Sequence, residues 1–224
     1  MRRIVSVAAI VLAALGLLWL VRFGRSTSSS AAEPRPAAID DSRDLVAISE
    51  RPAEKPAATL GRVGGTLPDT LVDPRLLAEK FRRTLTVFSA GRPVKTYRIA
   101  LGDDPVRPKK REGDKRTPEG TFYVCLKNPE SRFHLSLGLS YPSTPDAERG
   151  VRAKLITKRE ERAIVDAIRH YRKPPWNTRL GGEIMVHGGG TKRDWTDGCI
   201  AMSDSDIEEL YPLIPLGTEV KILP

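Results

Sequence analysis

An apolar run from Ile4 to Val21, followed by a long polar stretch rich in Pro, Ala and Ser, limits how much of this 224-residue chain can fold. Eighteen helical residues span about 27 Å, close to the roughly 30 Å of a bilayer's hydrocarbon core. A secretory apolar core is usually shorter, about 7–15 residues, and is followed by a small-x-small site. Here Arg22-Phe23-Gly24-Arg25 intervenes. Residues 1–25 therefore read as an uncleaved membrane anchor, with late cleavage near Ser28–Ala32 as the alternative. Arg2 and Arg3 are balanced by Arg22 and Arg25, so flanking charge leaves the orientation open. Residues 26–76, with Ser-Thr-Ser-Ser-Ser and Glu-Pro-Arg-Pro, have the low hydrophobicity and scattered proline of a disordered linker. That leaves 77–224, enough for one core and too short for two ordinary domains.

The strand and turn signals of this region predict a mainly β, or α+β, class. Leu85–Phe88 and Lys95–Ala100 read as strands around an Ala90-Gly91 turn. A polar loop, 102–116, leads through Thr117-Pro118-Glu119-Gly120 into a strand at Phe122–Leu126, and Phe133–Leu139 reads as the next strand. Thr157-Lys158-Arg159-Glu160 has the form of a capping box. Ala163, Ile164, Ala167, Ile168 and Tyr171 follow at helical spacing, predicting a helix over 158–172 ended by Pro174-Pro175. Glu183–Val186 reads as a short strand running into His187. Ser203 is placed to cap a short helix over about 204–211, and Glu219–Leu223 reads as a closing strand. The expectation is thus one substantial helix, one short helix and several strands.

Thirty-seven basic against 28 acidic residues give a net charge of +9, most of it on the folded region. Such a surface suits an anionic partner or is simply well solvated. Zinc-finger spacing, an RNP-like aromatic pair and a basic heptad helix are all missing, so no nucleic-acid partner is expected. There is no GxxxxGK[ST] loop and no GxGxxG after a strand, which removes most nucleotide enzymes. His134, His187 and Cys199 lack the local pairing of zinc ligands, so neither a metal nor a cofactor is expected.

The chemistry concentrates in Met185-Val186-His187-Gly188-Gly189-Gly190 and Asp194-Trp195-Thr196-Asp197-Gly198-Cys199-Ile200-Ala201-Met202. A thiolate is a nucleophile, and a neighbouring imidazole takes the thiol proton and stabilises the resulting charge. Gly188–Gly190 allow a sharp turn or a close backbone approach. Gly198, before the cysteine, leaves its peptide N–H unobstructed, and with the Cys199 N–H it would bind an oxyanion. The spacing alone is equally compatible with a buried cysteine and a structural histidine. A lipase-type oxyanion loop would need a GxSxG elbow, which does not follow.

These two motifs together resemble the active-site signature of the YkuD-type L,D-transpeptidases. Thr117-Pro118-Glu119-Gly120-Thr121-Phe122 is similar to that family's upstream segment. His134-Leu135-Ser136-Leu137-Gly138-Leu139-Ser140-Tyr141-Pro142 and the closing run Leu210–Thr218 resemble its YafK-like branch. The resemblance implies a β-rich L,D-transpeptidase domain outside the cytoplasmic membrane, in the periplasm or cell envelope, with residues 4–21 as its membrane partner. It implies Cys199 as nucleophile, His187 as base, Gly188 supplying a carbonyl that orients the imidazole, and Gly198 and Cys199 as oxyanion donors. Thr196 matches a Ser/Thr that braces the cysteine loop. Thr196, Asp197, Tyr141, His134 and Trp195 are the candidate substrate-binding residues. Asp197 and Ala201 depart from the His and the Arg or Asn common in the family, though the YafK-like branch generally shares both departures.

The implied partners are peptidoglycan stem peptides and a wall-attached lipoprotein. The implied reaction is transfer through a thioester, giving 3-3 cross-links or attaching a protein amine. The alternatives are a hydrolytic relative, either an L,D-carboxypeptidase or an amidase releasing a lipoprotein, and a non-catalytic wall-binding module. Cys125 reads as a small buried hydrophobe, unpaired with Cys199.

Overall fold

The computed structural model describes residues 65–224. The anchor expected over 1–25 and most of the linker expected over 26–76 lie outside the described residues. Among the described residues no helix is long and apolar enough to cross a membrane. The folded region begins earlier than 77. Leu67 is buried, and its N–H donates to Glu209 Oε1 at 2.6 Å. The first strand, β1 (Arg75–Glu79), also starts ahead of that boundary.

Strands β2 (Thr84–Ser89) and β3 (Arg92–Arg98) form the expected hairpin. Ala90 and Gly91 turn it at positive φ, the backbone that two-residue hairpin loops require. β1 pairs antiparallel with β2, setting Leu76 opposite Val87 and Ala78 opposite Leu85, so one face of the pair is apolar and buried. β8 (Glu219–Leu223) lies parallel to β1 and antiparallel to β4 (Gly120–Ser131). The C-terminal strand thus occupies the middle of an eight-stranded mixed sheet ordered β3-β2-β1-β8-β4-β5-β6-β7. The remaining strands are β5 (His134–Leu139), β6 (Met185–His187) and β7 (Ile200–Ala201).

Among the described residues three α-helices pack with this sheet, one more than the sequence pattern suggested for this region. α1 (Thr144–Arg152) was the unexpected one. Its start carries a local signal, Ser143 followed by Thr-Pro-Asp146. The Asp146 carboxylate accepts from both the Ser143 N–H and its hydroxyl. α2 (Lys158–Arg169) has the capping box read from Thr157 and Glu160. α3 (Asp204–Leu210) is capped by Ser203, which accepts from the Asp206 N–H. Ala147, Ile156, Ile164 and Leu180 form a small apolar cluster beneath α1 and α2, separate from the main core between the sheet faces.

Candidate active site

β6 and β7 are short parallel neighbours, with Val186 opposite Ile200 and His187 opposite Ala201. Val186 and Ile200 are fully buried, and their burial holds the two strands together. Cys199, immediately before β7, is therefore level with Met185, one pleat repeat from His187 across the pair. A two-residue strand with no alternating pattern of its own brings the candidate pair together.

His187 is 1% exposed. Its Nδ1 lies 2.6 Å from the Gly188 carbonyl. A carbonyl only accepts, so Nδ1 carries the proton and Nε2 presents a lone pair, the tautomer a general base needs. The ring is stacked on Phe133, with centroids 4.6 Å apart, and meets Trp195 edge-on at 5.7 Å. Trp195 is held by donating Nε1–H to the Gly190 carbonyl. Burial lowers the basicity of His187; the Gly188 bond opposes that, and the nearby Arg132 cation reinforces it, for a net depression. The imidazole is therefore neutral at rest.

The Cys199 thiol donates to the Glu183 carbonyl and accepts from the Met185 N–H, both at 3.4 Å. Burial pushes it up to about 11, despite the Met185 bond and the Lys109 charge, while Asp197 and Glu183 add to the rise. The resting pair is thus thiol and neutral imidazole. Cys199 also lines a cleft of about 1110 Å³ with Asp197, Glu183, Trp176, Lys109 and Arg132. A partly exposed thiol lining a cleft, at the strand pair that holds an oriented imidazole, can attack a carbonyl and pass its proton to a base.

Two glycines shape the site. A Cβ on Gly188 would lie 2.4 Å from Asp204 Oδ1, the carboxylate oxygen that accepts from the Gly189 N–H. Gly198 adopts φ +130°, and a Cβ there would lie 2.5 Å from the Arg116 carbonyl. The Gly198 amide is already engaged, donating to Thr196 Oγ1 at 3.1 Å. Of the two expected oxyanion donors, the Cys199 N–H is the one the loop leaves for a substrate.

The expected substrate-binding residues separate. Asp197 is exposed and lines the cleft. Thr196 is 3% exposed; it accepts from Gly198 and donates to the Cys199 carbonyl at 2.8 Å, so it is buried as a brace of the loop and its one donor is spent. Tyr141 is fully buried, its hydroxyl donating to the Leu180 carbonyl, and is a core residue. His134 pairs with Glu208 of α3 at 2.7 Å and does not line the cleft. Trp195 contacts the imidazole ring and not the cleft. Cys125 and Cys199 are both free, and Cys125 is partly buried in β4.

The polar loop over 102–116 holds several of its basic residues in ion pairs. Lys109 is buried in an ion pair with Asp114 at 3.0 Å, Lys115 pairs with Asp103, and Arg116 pairs with Asp104. Phe133, Arg132 and Glu183 were not singled out in the sequence. Arg132 and Phe133 form the two-residue turn between Ser131 and His134, which face each other across the β4–β5 hairpin. An aromatic at a hairpin tip was the one local sign.

Fold and site together define a β-rich domain with a cysteine lining a cleft and an oriented, buried histidine on the same strand pair, an arrangement suited to nucleophilic chemistry at a carbonyl. The family model described as the L,D-transpeptidase catalytic domain, YkuD, matches residues 73–222, and the chain belongs to that family. It is similar to the YafK protein of Escherichia coli (strain K12), 24% identical over 122 residues, which cover 53% of this chain and 36% of that protein. The match thus spans about a third of that curated relative's length. Among solved structures it is similar to the helical cell shape determining protein Pgp2 (K307A mutant) of Campylobacter jejuni, with 20% identity and a TM-score of 0.47, covering 72% of this chain and 50% of that one. It is also similar to the L,D-transpeptidase of Xylanimonas cellulosilytica, with 16% identity and a TM-score of 0.41, covering 70% and 63%. The family assignment rests on the family model.

Proposed function

We propose that this domain is a cysteine-dependent L,D-transpeptidase acting on peptidoglycan stem peptides. The observation that carries this reading is Cys199 lining the cleft on the strand pair that also holds the buried His187, whose imidazole tautomer is set by the Gly188 carbonyl. In the first half-reaction the thiol turns from the Glu183 carbonyl toward His187 Nε2 and gives up its proton. Sγ bonds to the carbonyl carbon on the L-centre of the third stem residue. The Cys199 N–H donates to the oxyanion. As the C–N bond breaks, His187 returns the proton to the departing amine, leaving a thioester.

In the second half an acceptor amine attacks the thioester, its proton passes to His187, and the cysteine sulfur leaves. An amine from a second stem yields a 3-3 cross-link; a lipoprotein lysine yields a wall-attached protein. Water in the same role makes the enzyme an L,D-carboxypeptidase or amidase. Ala201 is buried and carries only a methyl group, so it cannot hold substrate as an Arg or Asn there would, which favours keeping this hydrolytic reading. The domain works outside the cytoplasmic membrane, tethered by residues 4–21.

The test uses the full chain in detergent and its Cys199→Ala variant. Each is incubated with tetrapeptide muropeptides and with sacculi carrying a covalently attached lipoprotein, and products are read by mass spectrometry. New 3-3 dimers or amine-exchanged stems, absent with the variant, support transfer. Tripeptide or freed lipoprotein without dimers makes the protein a hydrolase, and turnover by the Cys199→Ala variant rules out the thioester.

A further inference from the structure

The charged residues lining the cleft are not equivalent. Lys109 is neutralised by Asp114, Lys115 by Asp103 and Arg172 by Asp166. Arg132 and Lys173 also line the cleft, and among the described residues neither has an ion-pair partner. Lys173 sits with Nζ 4.5 Å from the centre of the Trp176 ring. Arg132 is different in where it stands. Its guanidinium carbon lies 4.7 Å from the centre of the Phe133 ring, and Phe133 in turn stacks on the His187 imidazole. The charge is close enough to bear on the basicity of His187. Arg132 is exposed, so it keeps its donors available while the aromatic ring restricts where they point.

The position has a chemical meaning. His187 hands its proton to the departing amine, so the leaving group departs toward the buried imidazole, and Arg132 is the cleft cation linked to that imidazole through Phe133. When the leaving group is an α-amino acid, its carboxylate is separated from the departing nitrogen by a single carbon. A planar guanidinium held on the ring that stacks on the imidazole is the natural partner for that carboxylate, since both bind in a two-pronged fashion.

We propose that Arg132 reads the free α-carboxylate of the residue released from the stem peptide. This rests on the reaction proposed above and adds a specificity to it. Donors ending in one free amino acid after the scissile bond are favoured, and donors whose leaving group has that carboxylate blocked or placed further away are disfavoured. An amide formed by a lysine ε-amine belongs to the second group, because its carboxylate is a whole side chain away from the departing nitrogen.

The experiment measures kcat/KM of the full chain on two donors, a tetrapeptide with a free terminal carboxylate and the same peptide with that carboxylate amidated. Wild type is expected to prefer the free acid. In Arg132→Gln the ratio of the two values falls roughly tenfold, the range of one charge-assisted hydrogen bond at a solvent-accessible site. Arg132→Lys recovers part of the ratio, and Arg132→Glu inverts the preference. A purely structural role for Arg132 would lower both values together and leave the ratio unmoved. Titration of the Cys199→Ala chain with both peptides gives the same comparison without turnover. If wild type cleaves both donors and Arg132→Gln leaves the ratio unchanged, the proposal is wrong while the reaction stands. If wild type cleaves neither donor and the Cys199→Ala chain binds neither, the reaction itself is wrong and the proposal falls with it.

Discussion

The neutral state of the Cys199–His187 pair predicts how the thiol reacts as pH changes. Burial raises the thiol from an ordinary 9.0 to about 11, and the histidine is held below its ordinary value. The thiolate population at pH 8 is then about 1 in 1,000, against about 1 in 10 for an unperturbed thiol. The sign is set by the direction of the shift. The thiol holds its proton through the neutral range, and alkylation by iodoacetamide should accelerate about tenfold per pH unit from pH 7 to nearly 11. A thiolate–imidazolium pair would instead plateau in the neutral range. The assay is the second-order alkylation rate of the Cys199 peptide, followed by mass spectrometry so that Cys125 is scored separately. His187→Ala should leave the alkylation profile nearly unchanged while abolishing acylation by a stem peptide, because the imidazole acts during attack and not before it. A plateau below pH 8 that disappears in His187→Ala would refute this reasoning.

Thr196→Val keeps the shape and removes the hydroxyl, leaving the Gly198 N–H and the Cys199 carbonyl without their partner. The expected cost is about 2–3 kcal/mol, a fall in melting temperature of about 4–12 °C, with Thr196→Ser much milder. Gly198→Ala forces a Cβ to within 2.5 Å of the Arg116 carbonyl at a positive φ; it should cost about 3 kcal/mol or more and show as a lowered urea midpoint. Asp114→Asn leaves the Lys109 ammonium buried without its carboxylate, at a cost of about 3–5 kcal/mol in the same assay. Burial acts to raise the Asp114 carboxyl, but bonds from the Lys110 and Arg111 amides and from Lys109 outweigh it and hold it low. Its stabilising effect is therefore complete above the ordinary carboxylate range and fades as pH falls through the depressed value. An acid titration of Asp114→Asn should lose this part of the wild-type dependence.

What the sequence alone determined is mostly local. The Thr157–Glu160 and Ser203–Asp206 caps and the Ala90-Gly91 turn are settled within a few residues, by side chains that satisfy nearby amides or by backbone that tolerates positive φ. Cys199 and His187 stood out as candidates because each sits in a short motif of distinctive residues, and the family was legible from the same motifs. The tertiary structure decided the rest. β7 is two residues long, too short to show a period, and only its pairing with β6 brings Cys199 level with Met185, one pleat repeat from His187. Tyr141 resembled a cleft residue in sequence, but the chain folds Leu180 over it. His134 is taken by Glu208, 74 residues away, and Leu67 is drawn into the fold by Glu209, 142 residues away. Phe133 reaches the imidazole from the β4–β5 hairpin, carrying Arg132 on its ring, a contact with no trace in local spacing. Caps and turns are interactions between near neighbours and can be read from a string. Which side chain faces a cleft depends on sheet register and long-range packing, and these exist only once the distant strands have paired.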